Sequence, residues 1–273
     1  MHNPIHTSDD EIERALRGEI IYGDNFPPDR VAVWYEEEER GYFDVSTEKG
    51  GHTQTYRSSD ALHFFRGREI GGDLLAVGAA DGSDFLSVAE KINEFHFIEI
   101  SEEFWRSEVG GKPAFYSKPS IMGEMSYEDA RFDVGAFFSV LHHVPNVSFA
   151  LKEMHRVLKP GGLLLLREPV VSMGDWRTGR PGLTKNERGI PQACLETAVY
   201  EAGFEIEMKR PFIHPLVRRV SESLGFLTPY NHTLPSLLDM WISQIPIGSH
   251  VYHPQNVWQK LRPQGVAMIL RKE

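Results

Sequence analysis

The sequence predicts a doubly wound α/β fold built on a mostly parallel sheet, and three observations carry that expectation. Leu74–Asp84 (LLAVGAADGSD) passes from an apolar run into a turn containing Gly78 and Gly82. Phe95–Ile100 (FHFIEI) is a second apolar run, with Glu99 near its end, 17 residues after Gly82. From Phe132 to about residue 213, apolar runs alternate with segments of helical spacing. Strands buried on both faces and separated by amphipathic helices are the pattern of a parallel sheet covered on both sides.

Each element can be justified in turn. Leu74–Val77 reads as a buried strand, Gly78 and Gly82 permit tight backbone geometry, and Phe85–Lys91 resumes a helical pattern. Exposed amides at such a helix start attract anions and polar ligand groups, although many turns of this kind carry glycine only for shape, and Ala80 stands where a dinucleotide fingerprint has its second glycine. Glu99 falls where the tip of the second parallel strand adjoins the first turn, a position from which a carboxylate takes both ribose hydroxyls; the plain alternative is a surface glutamate at a strand end. Phe132–Val144 (FDVGAFFSVLHHV) begins as a further strand. Leu151, Met154 and Leu158 place a helix over 148–158, Pro160, Gly161 and Gly162 end it, and Leu163–Leu166 suits a central strand. Pro191 opens the next helix, Leu195, Ala198, Val199 and Ala202 form its apolar stripe, and Gly203 fits the left-handed position after it. Strands over about Phe204–Phe212 and Gly265–Leu270 complete the core.

The segments LHHV (141–144) and RVLKPGG (156–162), together with the FD that opens the strand before them, resemble the class I methyltransferases that use S-adenosylmethionine. The resemblance covers about residues 70–210. It implies S-adenosylmethionine as cofactor and S-adenosylhomocysteine as product, held by Gly78, Ala80, Asp81, Gly82, Glu99, Ile100, Glu124, Met125, Phe138 and Ser139. In this reading Glu99 holds the ribose, and Glu124 and Met125 flank the adenine on a register that the weakly marked third strand leaves open. Two departures from the family pattern stand out: Ala76 replaces the usual acidic residue two places before the first glycine, and Ala80 replaces the middle glycine.

Length and composition bound the rest. The 273 residues suit one enlarged α/β domain: a cap segment over 1–68, a core over 69–213 and 264–273, and a helical lid or dimerisation insertion over 214–263. The cap carries Trp34, Tyr35, Tyr42, Tyr56, Phe64 and Phe65, too aromatic for a disordered tail, and is expected to fold over the cofactor. No apolar run reaches the roughly 18 to 20 residues of a membrane span, and the N-terminus lacks signal-peptide order, so the expected location is cytoplasmic. A net charge of −10 disfavours nucleic acid as a partner, and a homodimer is left open. The lone Cys194 excludes an intrachain disulfide and reads as a packing residue. The 12 histidines show no metal-ligand spacing, so no metal is expected, and Glu36–Arg40 (EEEER) reads as a solvated helix face.

Catalytic expectations centre on the ends of two strands. His142 and His143 follow one of them, and a neutral imidazole there can take a hydroxyl proton; strand alternation would aim only one at the substrate, with His143 slightly preferred. The polar segment Glu168–Pro191 follows the other and offers Trp176, Arg177, Lys185 and Arg188 to a hydroxyl-rich or anionic acceptor, or else is a structural loop stapled by its own salt bridges. Less specifically, it resembles a loop of methyltransferases that accompany bacterial polysaccharide glycosyltransferases. The expected function is therefore O-methylation of a sugar, glycan or related small molecule. The alternatives are N- or O-methylation of another small molecule or natural product, a non-catalytic methyltransferase-like subunit, or a dinucleotide-dependent oxidoreductase, the last disfavoured by Ala80 and by LHHV and RVLKPGG.

Overall fold

A computed structural model describes residues 9–48, 56–120, 122–176, 178–245 and 251–273, with the side chains of 42–48, Tyr42 among them, outside that description. In chain order the elements are α1 (Asp9–Leu16), α2 (Pro28–Glu48), α3 (Arg57–Asp60) continuing as a π turn over Ala61–Phe65, β1 (Gly72–Val77), β2 (Ile92–Ile98), β3 (Glu108–Val109), β4 (Lys112–Ser117) and β5 (Phe132–Phe138). There follow α4 (Val147–Val157), β6 (Leu158–Pro169), α5 (Gln192–Glu201), β7 (Phe204–Phe212), α6 (Pro215–Ser223), α7 (Thr233–Ile242), α8 (Val257–Lys260) and β8 (Gly265–Lys272).

The strands form one sheet in the order β3-β4-β2-β1-β5-β6-β8-β7. From β4 to β6 the pairing is parallel, with Ala76 of β1 opposite Phe97 of β2 on one side and Ala136 of β5 on the other. β8 runs antiparallel between β6 and β7. The expected doubly wound, mostly parallel sheet is therefore present. Its order reverses at β1, so the crevice beyond the carboxyl ends of β1 and β5 is where this architecture receives ligands.

Period-two alternation divides the core into two layers. Leu75, Phe137, Leu164 and Leu166 face α4 and α5, whereas Leu74, Ala76, Val134 and Leu165 face Phe64, Phe85, Phe95 and Phe97. Each fully buried Leu or Phe contributes about 1.5–3 kcal/mol. α4 turns Val147, Leu151, Met154 and Val157 inward, and Gly203, at φ +94°, follows α5 as its spacing predicts. A third cluster joins Ile12 and Leu16 of α1, Trp34 of α2, and Tyr22, Phe26, Trp176 and Tyr252. The N-terminal segment is thereby packed against the loop after β6.

Three expectations change. Phe85–Lys91 does not form an α-helix: single 3-10 turns cover Ser83–Phe85 and Ala89–Lys91. Asp81 Oδ1 accepts the Ser83 N–H, a local turn that competes with helix formation, and Phe85 is drawn into the core against Phe95, Phe97 and Phe138. No helix dipole backs the glycine turn. The weakly marked third strand is a hairpin, β3–β4, whose Gly110 and Gly111 both take positive φ, the requirement of a tight two-residue turn. Finally, His142 and His143 lie on the 3-10 turn Leu141–His143 rather than on a strand, so strand alternation does not separate them. Among the described residues, no helix is long and apolar enough to cross a membrane.

Candidate active site

The glycine turn and the LHHV turn meet at the switch point. Gly78 takes φ +64°, and a Cβ there would come within 2.4 Å of Val140 Cγ2, so only glycine lets the two turns approach this closely. The Gly78 N–H donates to Ile98 O at the end of β2. Next to it, Glu99 is buried, its Oε2 accepting the Ala80 N–H at 2.9 Å and its Oε1 the Ser101 N–H at 3.1 Å. Burial pushes the Glu99 carboxyl up against the opposing pull of those amides. Tyr116 Oη donates to Ala80 O and closes the turn, in which Ala80 itself is forced to φ +47° and Gly82 to φ +74°.

The LHHV backbone is held from both sides. Glu168, fully buried at the end of β6, accepts the Val140 and Leu141 N–H groups on Oε1 and the His142 N–H and Nδ1 on Oε2. That uses about all the acceptor capacity of one carboxylate. From the other side, buried Arg188 donates to the carbonyls of Leu141, His142 and Val144 and, through Nε, to Tyr22 O. Trp34 Nε1 donates to His143 O at 2.7 Å. Gly189 follows Arg188 because a Cβ there would lie 1.9 Å from Val171 O.

This scaffold brings both imidazoles together, with ring centroids 4.2 Å apart. His142 Nδ1 meets Glu168 Oε2 at 2.8 Å, and His143 Nδ1 meets Glu38 Oε2 at 2.8 Å. Glu38 also accepts from Thr184 Oγ1 and the Asn186 N–H. Glu187 stands 3.8 Å from His142 Nε2. The EEEER run is thus no uniform solvated face: Glu38 is buried, while Glu37 pairs with Lys185 and Asn186. Val31, Trp34 and Glu38 fall at i, i+3 and i+7, so helical spacing carried the signal that placed Glu38 on the inward face.

Other expected site residues are placed differently. Trp176 is buried against Tyr22 at 5.4 Å, with its Nε1 buried and unbonded, Arg188 is a backbone clamp, and Lys185 is an exposed partner of Glu37, so these three side chains are packed or paired within the protein. Arg177 lies outside the described residues. The Phe138 ring is stacked between Phe64 and Phe85, a packing role. Ser139, at φ +57°, receives Arg167 Nη1 on its hydroxyl; Asp81 is used by Ser83; Ile100 follows Glu99; Met125 is buried in the same layer as Ile98, and Glu124 is exposed and bonded to Ser120.

Residues 75–166 match a family model described as a methyltransferase domain. The core carries the class I methyltransferase fold. The 27-O-demethylrifamycin SV methyltransferase of Amycolatopsis mediterranei is 27% identical over 143 residues, covering 49% of this chain and 52% of its own length. The sterol 4-C-methyltransferase strm-1 of Caenorhabditis elegans is 25% identical over 129 residues, covering 46% and 38%. The chain therefore matches about half or less of these relatives. Among solved structures, the [4+2]-cyclase SpnF superposes with a TM-score of 0.50 at 22% identity, over 79% of this chain and 80% of that one. The protein bound to the Trm112 methyltransferase activator of Haloferax volcanii gives 0.55 at 13% identity, over 86% and 97%. At these identities the likeness is one of fold.

That fold implies S-adenosylmethionine, and the chain's own residues fit it. Glu99 accepts the Ala80 amide on one oxygen and the Ser101 amide on the other, with the Ile100 amide also acting on it, so acceptor capacity remains for a ribose hydroxyl. Asp84 Oδ1, just past the turn, is buried with no hydrogen-bond partner, while Oδ2 of the same carboxylate faces Arg167 Nη2 at 3.5 Å.

Proposed function

We propose that this protein transfers the methyl group of S-adenosylmethionine to a hydroxyl of a small molecule, with His143 as proton acceptor. The observation that carries the reading is the convergence of His142 and His143 on a turn clamped by Glu168 and Arg188, at the mouth of the fold's ligand crevice. Bound cofactor would supply a methyl already activated by a positive sulfonium. Gly78, Ala80 and Glu99 would fix its position, and the Nδ1 partner Glu38 leaves His143 Nε2 to receive the hydroxyl proton. A rigid, water-poor turn keeps that nitrogen aligned without reorganisation.

The hydroxyl acceptor agrees with the name of the Amycolatopsis relative, an O-methyltransferase. A sugar or glycan acceptor loses its motive, because Trp176, Lys185 and Arg188 are already engaged by the protein. A second reading, a methyltransferase-like protein without methyl transfer, is favoured by Ala80 at φ +47° and by the 3-10 turns where a helix would back the cofactor.

Thermal unfolding with S-adenosylhomocysteine beside NAD separates these readings. A ligand at 100 times its dissociation constant stabilises by about 2.7 kcal/mol. Stabilisation by S-adenosylhomocysteine alone, followed by labelled methyl appearing on oxygen in hydroxylated acceptors, is the expected result; no response to S-adenosylhomocysteine overturns the proposal.

A further inference from the structure

We propose that His142, His143 and Glu187 form a binding site for one divalent transition-metal ion. One ligand atom from each residue lies within 4.8 Å of the other two, although Glu187 comes from a different loop, so sequence spacing alone gave no sign of the set. The two rings are pre-oriented. His142 Nδ1 is held by Glu168 and His143 Nδ1 by Glu38, each at 2.8 Å, an arrangement that protonates Nδ1 and turns both Nε2 lone pairs away from their carboxylates. Histidines that bind metals characteristically donate their other ring nitrogen to a carboxylate in this way. Glu187 is aimed as well, since its Oε2 accepts the Thr184 N–H at 3.1 Å while Oε1 faces His142 Nε2 at 3.8 Å.

Ligands about 2.0–2.1 Å from a tetrahedral ion stand about 3.4 Å from one another. From present separations of up to 4.8 Å, reaching that spacing takes a closure of at most about 1.4 Å between any two of the three atoms. Two imidazoles and one carboxylate suit Zn²⁺, Co²⁺ or Fe²⁺ rather than Mg²⁺ or Ca²⁺, and three protein ligands leave a position open to water or an acceptor oxygen. Occupation uses the Nε2 lone pair that would otherwise accept the hydroxyl proton, so a bound ion and proton acceptance by His143 exclude each other. This consequence for turnover rests on the methyl-transfer reading; the binding itself does not.

The test uses the full chain, stripped by chelation, titrated with Zn²⁺ by calorimetry and with Co²⁺ by visible absorption. One ion per chain is expected, with a visible Co²⁺ band of low coordination number. Glu187→Gln should weaken Zn²⁺ at least tenfold, and Glu38→Gln, which touches only the orienting carboxylate, by about 10–100-fold. His232→Asn, at an exposed histidine, should bind as the wild type does. Each variant is checked for wild-type unfolding before titration. No Zn²⁺ uptake by the wild type, wild-type affinity in a folded Glu187→Gln, or uptake lost in His232→Asn overturns the site. In an active preparation, one equivalent of Zn²⁺ should lower kcat with S-adenosylhomocysteine affinity unchanged, and turnover indifferent to Zn²⁺ overturns the exclusion. A chain that binds Zn²⁺ yet methylates nothing sinks the methyl-transfer reading and leaves the metal site standing.

Discussion

Glu38 Oε2 and His143 Nδ1 lie 2.8 Å apart although 105 residues separate them in the chain. Burial pushes the Glu38 carboxyl up, but the bond to His143 and its charge outweigh that and hold it below the ordinary range. The reciprocal holds for the imidazole: burial pulls His143 down, and the bond to Glu38 together with the charges of Glu187, Glu38 and Glu168 outweighs that, leaving it above its ordinary value. His142 goes the other way, lowered by burial and by the charge of His143 in spite of Glu168. Two adjacent histidines, each bonded to a carboxylate, are thus pushed apart, and His143 is the stronger base.

Removing either member of that pair should act on the chemical step. His143→Ala is expected to lower kcat about 100- to 10,000-fold, the usual worth of a general base. Glu38→Gln keeps the side chain's size but replaces one of its two acceptor oxygens by a donor; it should lower kcat at least about tenfold, and the double variant should be little worse than His143→Ala, because the two act as a unit. Affinity for S-adenosylhomocysteine, measured by calorimetry, should not move. Additive losses, or wild-type turnover in His143→Ala, would show that the proton leaves by another route.

Glu99 should contribute to the cofactor and not to the base. Replacing it with alanine removes hydrogen bonding to a charged group worth about 1.5–3 kcal/mol in all, so S-adenosylhomocysteine should bind about ten- to 150-fold more weakly. The same substitution frees the Ala80 and Ser101 amides, so stability is recorded alongside. Unchanged affinity in a folded variant would remove Glu99 from the ribose.

The centre of the sheet was legible because β1, β5 and β6 contain apolar runs, whereas the outer strands β4 (KPAFYS) and β7 (FEIEMKRPF) interleave polar residues. The helix expected after Gly82 was misread because Phe85 and Val88 also satisfy a short buried turn, and the Asx turn at Asp81 decides between the two only in three dimensions. His142, His143 and Glu99 were legible from position relative to strand ends. Arg188 was not. Its charge and its loop both point to solvent in sequence, whereas four backbone acceptors on a distant turn and on Tyr22 make it the clamp of the site. Long-range partners of that kind have no local signal, and the same holds for Trp176, whose ring fills a cluster built by the first 34 residues.

Ala80 should be a strained position. It takes φ +47°, a left-handed conformation that costs an L-residue about 1–2 kcal/mol. Glycine there relieves the strain and gives back about 0.5–1 kcal/mol through greater freedom of the unfolded chain. Ala80→Gly should therefore stabilise by about 0.5–1 kcal/mol, a rise of roughly 1–3 °C in Tm. Because Tyr116 bonds the Ala80 carbonyl, not its side chain, that contact survives. A destabilised Ala80→Gly would mean that the side chain is contributing packing that outweighs the strain.

The last prediction concerns proton uptake beneath the site. Arg167 is buried between two carboxylates, with Nε 2.9 Å from Asp60 Oδ1 and Nη2 3.5 Å from Asp84 Oδ2. One guanidinium neutralises one carboxylate, so the other is driven toward its protonated form. Burial, with Asp84 adding to it and Arg167 opposing, pushes Asp60 up to about 8. The folded protein then holds a proton that the unfolded chain releases near pH 4, and this contribution to stability is present at low pH and declines as pH rises toward 8. Nearby His63 has the opposite sign: burial lowers it to about 4, so its contribution grows between pH 4 and its ordinary value near 6.5 and is level above that. Between pH 6.5 and 8 His63 is level, and the titration of His143, raised above its ordinary value, is common to the wild type and Asp60→Asn and cancels in their difference. There, unfolding free energy of the wild type should fall with pH by up to about 1.4 kcal/mol per unit relative to Asp60→Asn, which cannot titrate. Denaturant unfolding of both proteins across that window reads the difference directly, and parallel curves would place the shared proton elsewhere in the cluster.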